Sequence, residues 1–128
     1  MGKASRSKGK RGELELSHEL QRLGFQAAHR SQQYCGMASS ADVIGLPSVH
    51  IECKRTESLS LYTAYEQAVR DSAGSSDFPV VMHRRSRRPW LVIMSLSDWA
   101  KLYRAYVGRK DHKSEFLAPT APNEDSVF

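Results

Sequence analysis

The sequence predicts an α/β or α+β domain built on a mixed central β-sheet flanked by helices. Three observations lead there. Leu16, Leu20 and Leu23 recur at helical spacing near the start of the chain. Short apolar runs bounded by turn residues recur further on, as strands do. Amphipathic helical patterns separate and follow those runs. No segment repeats at a fixed period, and 128 residues suit one domain.

The order of elements follows from local chemistry. Residues 1–11 carry five bases and no acid and read as a flexible basic arm, with Lys8, Lys10 and Arg11 placed to lie on phosphates. A first helix is expected over roughly 12–23, with Gly24 at the position of a C-terminal cap. Phe25 to Arg30 can form a first strand, and Ser31 to Ser40, rich in Ser, Gln and Gly, reads as a mobile loop. Ala41 to Leu46 and Val49 to Arg55 flank Leu46-Pro47-Ser48, which is turn chemistry, so an antiparallel hairpin is expected. A second helix spans about Ser60 to Ala73, with Leu61, Ala64, Tyr65 and Ala68 along its apolar side. Phe78 to His83 and Trp90 to Ser95 read as two further strands, joined by the basic loop Arg84-Arg85-Ser86-Arg87-Arg88-Pro89. Ser95 and Asp98 then begin a third helix, along which Trp99, Leu102, Tyr103 and Tyr106 recur. The folded domain is therefore expected over 12–110, followed by an acidic tail at 111–128, containing Pro119 and Pro122, that is poorly ordered or docks on something else.

Charge narrows the choice of partner. The tail holds four acids and one base, which leaves 18 bases against 10 acids in residues 1–110. A surplus of that size suits a polyanion, because each phosphate neutralised by lysine or arginine releases a condensed counterion. It suits simple solubility equally well. Two cysteines, Cys35 and Cys53, lack zinc-site spacing and are too few for a disulfide framework, which fits a reducing compartment. No apolar run reaches the length of a membrane span and no secretory pattern is present, so a soluble cytoplasmic or nucleoid-associated protein is expected.

The chemistry concentrates in the hairpin. A turn centred on Pro47 sets Asp42 opposite Glu52, and opposed residues on one sheet face have Cβ atoms roughly 4.5–5.5 Å apart. Two carboxylates at that separation can share one hard cation. Glu52 and Lys54 are two apart and project to the same face, whereas Ile51 and Cys53 point the other way, into the core. Facing carboxylates raise each other's pKa unless a cation lies between them. The donors are all oxygen, so Mg²⁺ is expected, with Mn²⁺ as a substitute.

An acid-x-lysine triplet occurs by chance about once in a chain of this composition. Asp111-His112-Lys113 is such a decoy, lying in the polar tail with no opposed acid. Glu13 shares the buried stripe of the first helix and reads either as a metal-directed acid or as a carboxylate favoured near a helix N-terminus. Gln67 reads either as a residue that fixes Lys54 or a water, or as a structural hydrogen-bonder. His50 shares the face of Glu52 by alternation and reads either as a contact to metal or phosphate or as a solvated side chain, the second being the expectation. The Arg84, Arg85, Arg87 and Arg88 cluster suits phosphate contact better than base reading. The aromatics of the third helix suit a core or a dimer interface.

Gly9-Lys10-Arg11-Gly12-Glu13, Leu20-Gln21-Arg22-Leu23-Gly24-Phe25, Arg30-Ser31, Ala41-Asp42-Val43-Ile44, Ile51-Glu52-Cys53-Lys54 and Gln67-Ala68, in this order, resemble the PD-(D/E)XK nuclease superfamily. Within it the chain is most similar to archaeal-type and phage Holliday-junction resolvases, over roughly residues 9–95. The resemblance implies a restriction-endonuclease-like core and metal-dependent hydrolysis of phosphodiester bonds in branched DNA. It implies a metal held by Asp42, Glu52, the backbone carbonyl of Cys53 and Glu13, with Lys54 positioning or deprotonating water and Gln67 in support. It implies DNA contacts near Arg30, Ser31 (or Ser39 and Ser40) and Arg55, and a homodimer, because a four-way junction needs two symmetric cuts. Ala41 stands where the motif has proline, which ligates nothing. Two other readings stay open: a nuclease of the same fold acting on flap, fork or duplex DNA, and a nucleic-acid-binding module without catalysis.

Overall fold

The structure, a computed structural model, describes residues 2–31 and 41–117, with side chains over 9–31 and 41–109. Along the chain lie α1 (Gly2–Arg22), β1 (His29–Arg30), β2 (Val43–Ile44), β3 (Val49–Arg55), α2 (Leu61–Asp71), β4 (Phe78–Arg84), β5 (Leu91–Ile93) and α3 (Leu96–Leu117). The five strands form one sheet in the order β1-β2-β3-β4-β5. Neighbours run antiparallel except β3 and β4, which are parallel. A parallel pair needs a crossover, and α2 supplies it. The sheet is therefore mixed, as the interleaved pattern predicts.

Packing follows strand alternation. On one side of the sheet Leu16 and Leu20 of α1 pack with Ala28, Val43, Ile51, Val80 and Met82, and Cys53 joins them. On the other side Ala64 and Ala68 of α2 pack with Val81. Ile51 and Val81 are completely buried. Burying an aliphatic side chain of this size contributes about 1.5–3 kcal/mol. β3 thus turns its odd-numbered residues toward α1 and its even-numbered ones toward α2.

Several boundaries differ from the sequence expectation. The segment read as a flexible arm is helical from Gly2 onward. Its Lys, Arg and Ala residues favour helix, but it has no apolar stripe to mark a period. Gly12, expected at the helix start, lies inside it: a Cβ there would sit 2.7 Å from Arg55 Cβ, so glycine lets α1 pass close over β3. The C-terminus of α1 is as expected. Gly24 has φ +109°, its N–H donates to Gln21 O at 3.0 Å, and the Phe25 N–H donates to Leu20 O at 3.0 Å, the Schellman arrangement. Phe25 to Ala28 then turns instead of extending, closed by the Ala28 N–H to Phe25 O at 3.0 Å, so β1 keeps only His29 and Arg30.

The hairpin has the expected register, with Val43 paired to Ile51. Its turn uses Gly45 at φ +104° and Ser48 at φ +72°. A Cβ on Gly45 would lie 2.0 Å from Ala27 O, so this turn packs directly on the β1 approach.

The chain forms two compact units, Met1–Met94 and Ser95–Phe128. In the second, the Ser95 hydroxyl accepts the Asp98 N–H at 3.1 Å, the N-terminal cap read from the sequence. Helix α3 continues seven residues into the segment expected to be a disordered tail, ending at Leu117. Ala118 precedes Pro119, and a residue before proline disfavours helix. The loop residues Cys35, Ser39 and Ser40 and the end of the tail lie outside the described residues. Among the described residues no helix is long and apolar enough to cross a membrane.

Candidate active site

Asp42, just before β2, enters the site because its backbone is held to β3 on one side and to the end of β1 on the other. Its N–H donates to Ile51 O at 2.8 Å and its carbonyl accepts the Ser31 N–H at 2.9 Å. Its carboxylate reaches across the hairpin, where Oδ2 accepts the Cys53 N–H at 2.8 Å. The main chain of Cys53 therefore lies directly against Asp42. Burial, with the nearby acids, pushes the Cys53 thiol up, so it stays protonated.

Glu52 is 3% exposed and faces α2. Its Oε2 accepts the Gln67 Nε2 amide at 2.9 Å. The Gln67 Oε1 atom accepts Lys54 Nζ at 3.2 Å. One amide thus ties the acid and the lysine together. The Glu52 carboxyl is pushed up to about 8, first by burial and then by the charge of Asp42, with Asp71 adding and Lys54 opposing. Glu13 is raised as well, by burial and then by Asp42, while its ion pair with Arg30 (Nε to Oε1, 3.0 Å) opposes the rise. Asp42 therefore crowds two other acids. The donor set is oxygen-rich and electrostatically frustrated without a cation, so a hard divalent ion fits it.

His50 is not solvated. It is 6% exposed, because its strand position turns it under the end of α2 rather than outward. Its Nε2 lies 3.8 Å from Glu52 Oε1. Both atoms are buried without a hydrogen-bond partner among the described residues. With Asp71 they form a cluster whose ligand atoms all lie within 4.8 Å of one another. Asp71 was missed in the sequence. The signal was available: it is four residues after Gln67 and so one turn along the same helix face.

The basic residues divide into two sets. Arg30 is engaged with Glu13. Arg55 pairs with Glu15 at 2.9 Å and with Glu57 at 3.2 Å, and Arg84 pairs with the same Glu15. These three arginines brace α1 against the sheet. Arg85, Arg87 and Arg88 are exposed, and Glu57 fixes their loop by accepting the Ser86 hydroxyl at 2.7 Å. Lys10 and Arg11 are exposed on α1, Ser31 is buried, and the side chain of Lys8 lies outside the described residues.

A mixed sheet with a helix against each face, carrying acids and a lysine on its central hairpin, is a restriction-endonuclease-like fold. A family profile described as "Phage putative PDDEXK endonuclease" matches residues 4–118, and the chain belongs to that family. Among solved structures it is similar to Hjc of Archaeoglobus fulgidus, a Holliday junction resolvase from an archaeal hyperthermophile. That match has a TM-score of 0.50 and 25% identity, and covers 68% of this chain and 72% of Hjc. No curated protein sequence matches.

Proposed function

We propose that this protein is a metal-dependent endonuclease that hydrolyses phosphodiester bonds in branched DNA, with the four-way junction as its preferred substrate. The observation that carries the reading is the linkage of Glu52 to Lys54 through Gln67 beside the opposed Asp42. Asp42 and Glu52 would hold Mg²⁺ or Mn²⁺, assisted by the Cys53 carbonyl and Glu13. A bound ion supplies Lewis acidity and a more acidic water. Lys54, oriented by Gln67, places a positive charge where the attacked phosphate becomes more negative. Asp42, anchored on the Cys53 N–H, keeps its carboxylate from swinging away. Arg85, Arg87 and Arg88, with Lys10 and Arg11, contact phosphates and set affinity rather than sequence preference.

The junction preference draws on the likeness to Hjc, which is itself a Holliday junction resolvase. Paired cuts across a junction call for a symmetric homodimer. The exposed Leu96, Trp99, Leu102 and Tyr106 of α3 offer apolar surface for one. The test is a substrate panel with Mg²⁺: a synthetic four-way junction beside flap, fork, linear duplex and single strand. Symmetric nicks in the junction at protein concentrations that leave linear duplex intact support the reading. Equal cleavage of flap or duplex DNA assigns the activity to those substrates instead.

A further inference from the structure

We propose a second cation site, formed by His50, Glu52 and Asp71, that takes a transition-metal dication such as Mn²⁺. It rests on the reading of Asp42 and Glu52 as the catalytic pair, because Glu52 would belong to both sites. Two features of the structure point to an ion there. The ligand atoms of the three side chains lie within 4.8 Å of one another. The His50 Nε2 and Glu52 Oε1 atoms lie 3.8 Å apart, and neither has a hydrogen-bond partner among the described residues. Their side chains are 7% and 5% exposed. Leaving two such polar atoms buried and unpaired forfeits their hydration with nothing in exchange, and a shared cation removes both penalties.

The donor set narrows the choice of ion. One imidazole nitrogen with two carboxylate oxygens suits Mn²⁺, Zn²⁺ and their neighbours, whereas Mg²⁺ prefers oxygen and keeps its waters. An entry path exists. His50 and Asp71 both line an open cavity of about 640 Å³ between the β2–β3 turn and the segment after α2, with Pro47, Ser48 and Gly74 on its walls. Glu52 can serve both sites because an ionised carboxylate has about four acceptor positions, of which Gln67 uses one.

The experiment is pulsed EPR on the full-length protein loaded with Mn²⁺, read for nitrogen coupling from a coordinated imidazole, with binding stoichiometry measured alongside. Wild type is expected to bind two Mn²⁺ and to show the coupling. His50→Gln and Asp71→Asn are expected to bind one, and His50→Gln to lose the coupling. Asp42→Asn is expected to keep the coupling. Asp71, half-buried at the end of α2, keeps the test available if the His50 variant does not fold. No nitrogen coupling in wild type, an unchanged stoichiometry in both variants, or loss of coupling in Asp42→Asn would overturn the proposal. Cleavage by wild type and its loss in Asp42→Asn report separately on the catalytic reading.

Discussion

Replacing Glu52 by glutamine is expected to abolish cleavage and at the same time to stabilise the metal-free protein, in a pH-dependent way. The folded carboxyl titrates near 8 against an ordinary value of 4.5. Between those values the folded state holds a proton that the unfolded state has lost. Stability from this group is therefore complete below pH 4.5 and is lost as pH rises through 8. At about 1.4 kcal/mol per pH unit the loss has a ceiling of about 5 kcal/mol. Structural relaxation and water entry reduce it, and about 2 kcal/mol is the expected remainder. Glutamine carries no charge at any pH, and its amide oxygen still accepts from Gln67. Urea unfolding in EDTA should show Glu52→Gln ahead of wild type by about 2 kcal/mol at pH 9, roughly 1 M in midpoint, and level with it at pH 4.5. Saturating Mg²⁺ or Mn²⁺ should narrow the gap at pH 9, because the ion stabilises the wild-type carboxylate. An equal difference at both pH values, or a variant less stable at pH 9, would refute the electrostatic account of this site.

Three further outcomes are expected. Gln67→Ala should lower kcat about 10–100-fold with little change in DNA affinity, because it unties Lys54 from Glu52 without removing a ligand; steady-state cleavage kinetics decide it. Gly12→Ala should destabilise the fold by roughly 1–3 kcal/mol, since its Cβ would meet Arg55 Cβ and α1 would have to move off β3, which a thermal melt reads directly. Replacing Arg85, Arg87 and Arg88 by alanine should weaken DNA binding across sequences and reduce the slope of log K against log salt by up to about 3, with kcat unchanged. A fall in kcat at saturating DNA would move that loop into the active site.

Much of the site was legible because it depends on short-range rules. Alternation in Val49 to Arg55 fixes that Glu52 and Lys54 share a face, and the Pro47 turn fixes the register that brings Asp42 to them. What escaped depends on contacts distant in sequence. The burial of His50 reflects its position under α2, which its own strand cannot report. Asp71 matters only once α2 is laid across β3. The engagement of Arg30, Arg55 and Arg84 with acids of α1 and its surroundings is likewise tertiary, so a count of bases overstates the charge free to meet DNA. The start of α1 was missed for a different reason: a helix without apolar residues has propensity but no period.

On the proposed function, Asp42 and Glu52 hold the metal with which this protein cuts DNA. The most direct test is nicking of an end-labelled four-way junction by wild type with Mg²⁺, wild type with EDTA, and Asp42→Asn with Mg²⁺, each variant shown to be folded. Cleavage is expected in the first reaction alone, with junction binding retained by Asp42→Asn. Cleavage by Asp42→Asn at the wild-type rate, or tight binding by wild type with no cleavage in either Mg²⁺ or Mn²⁺, would contradict that function.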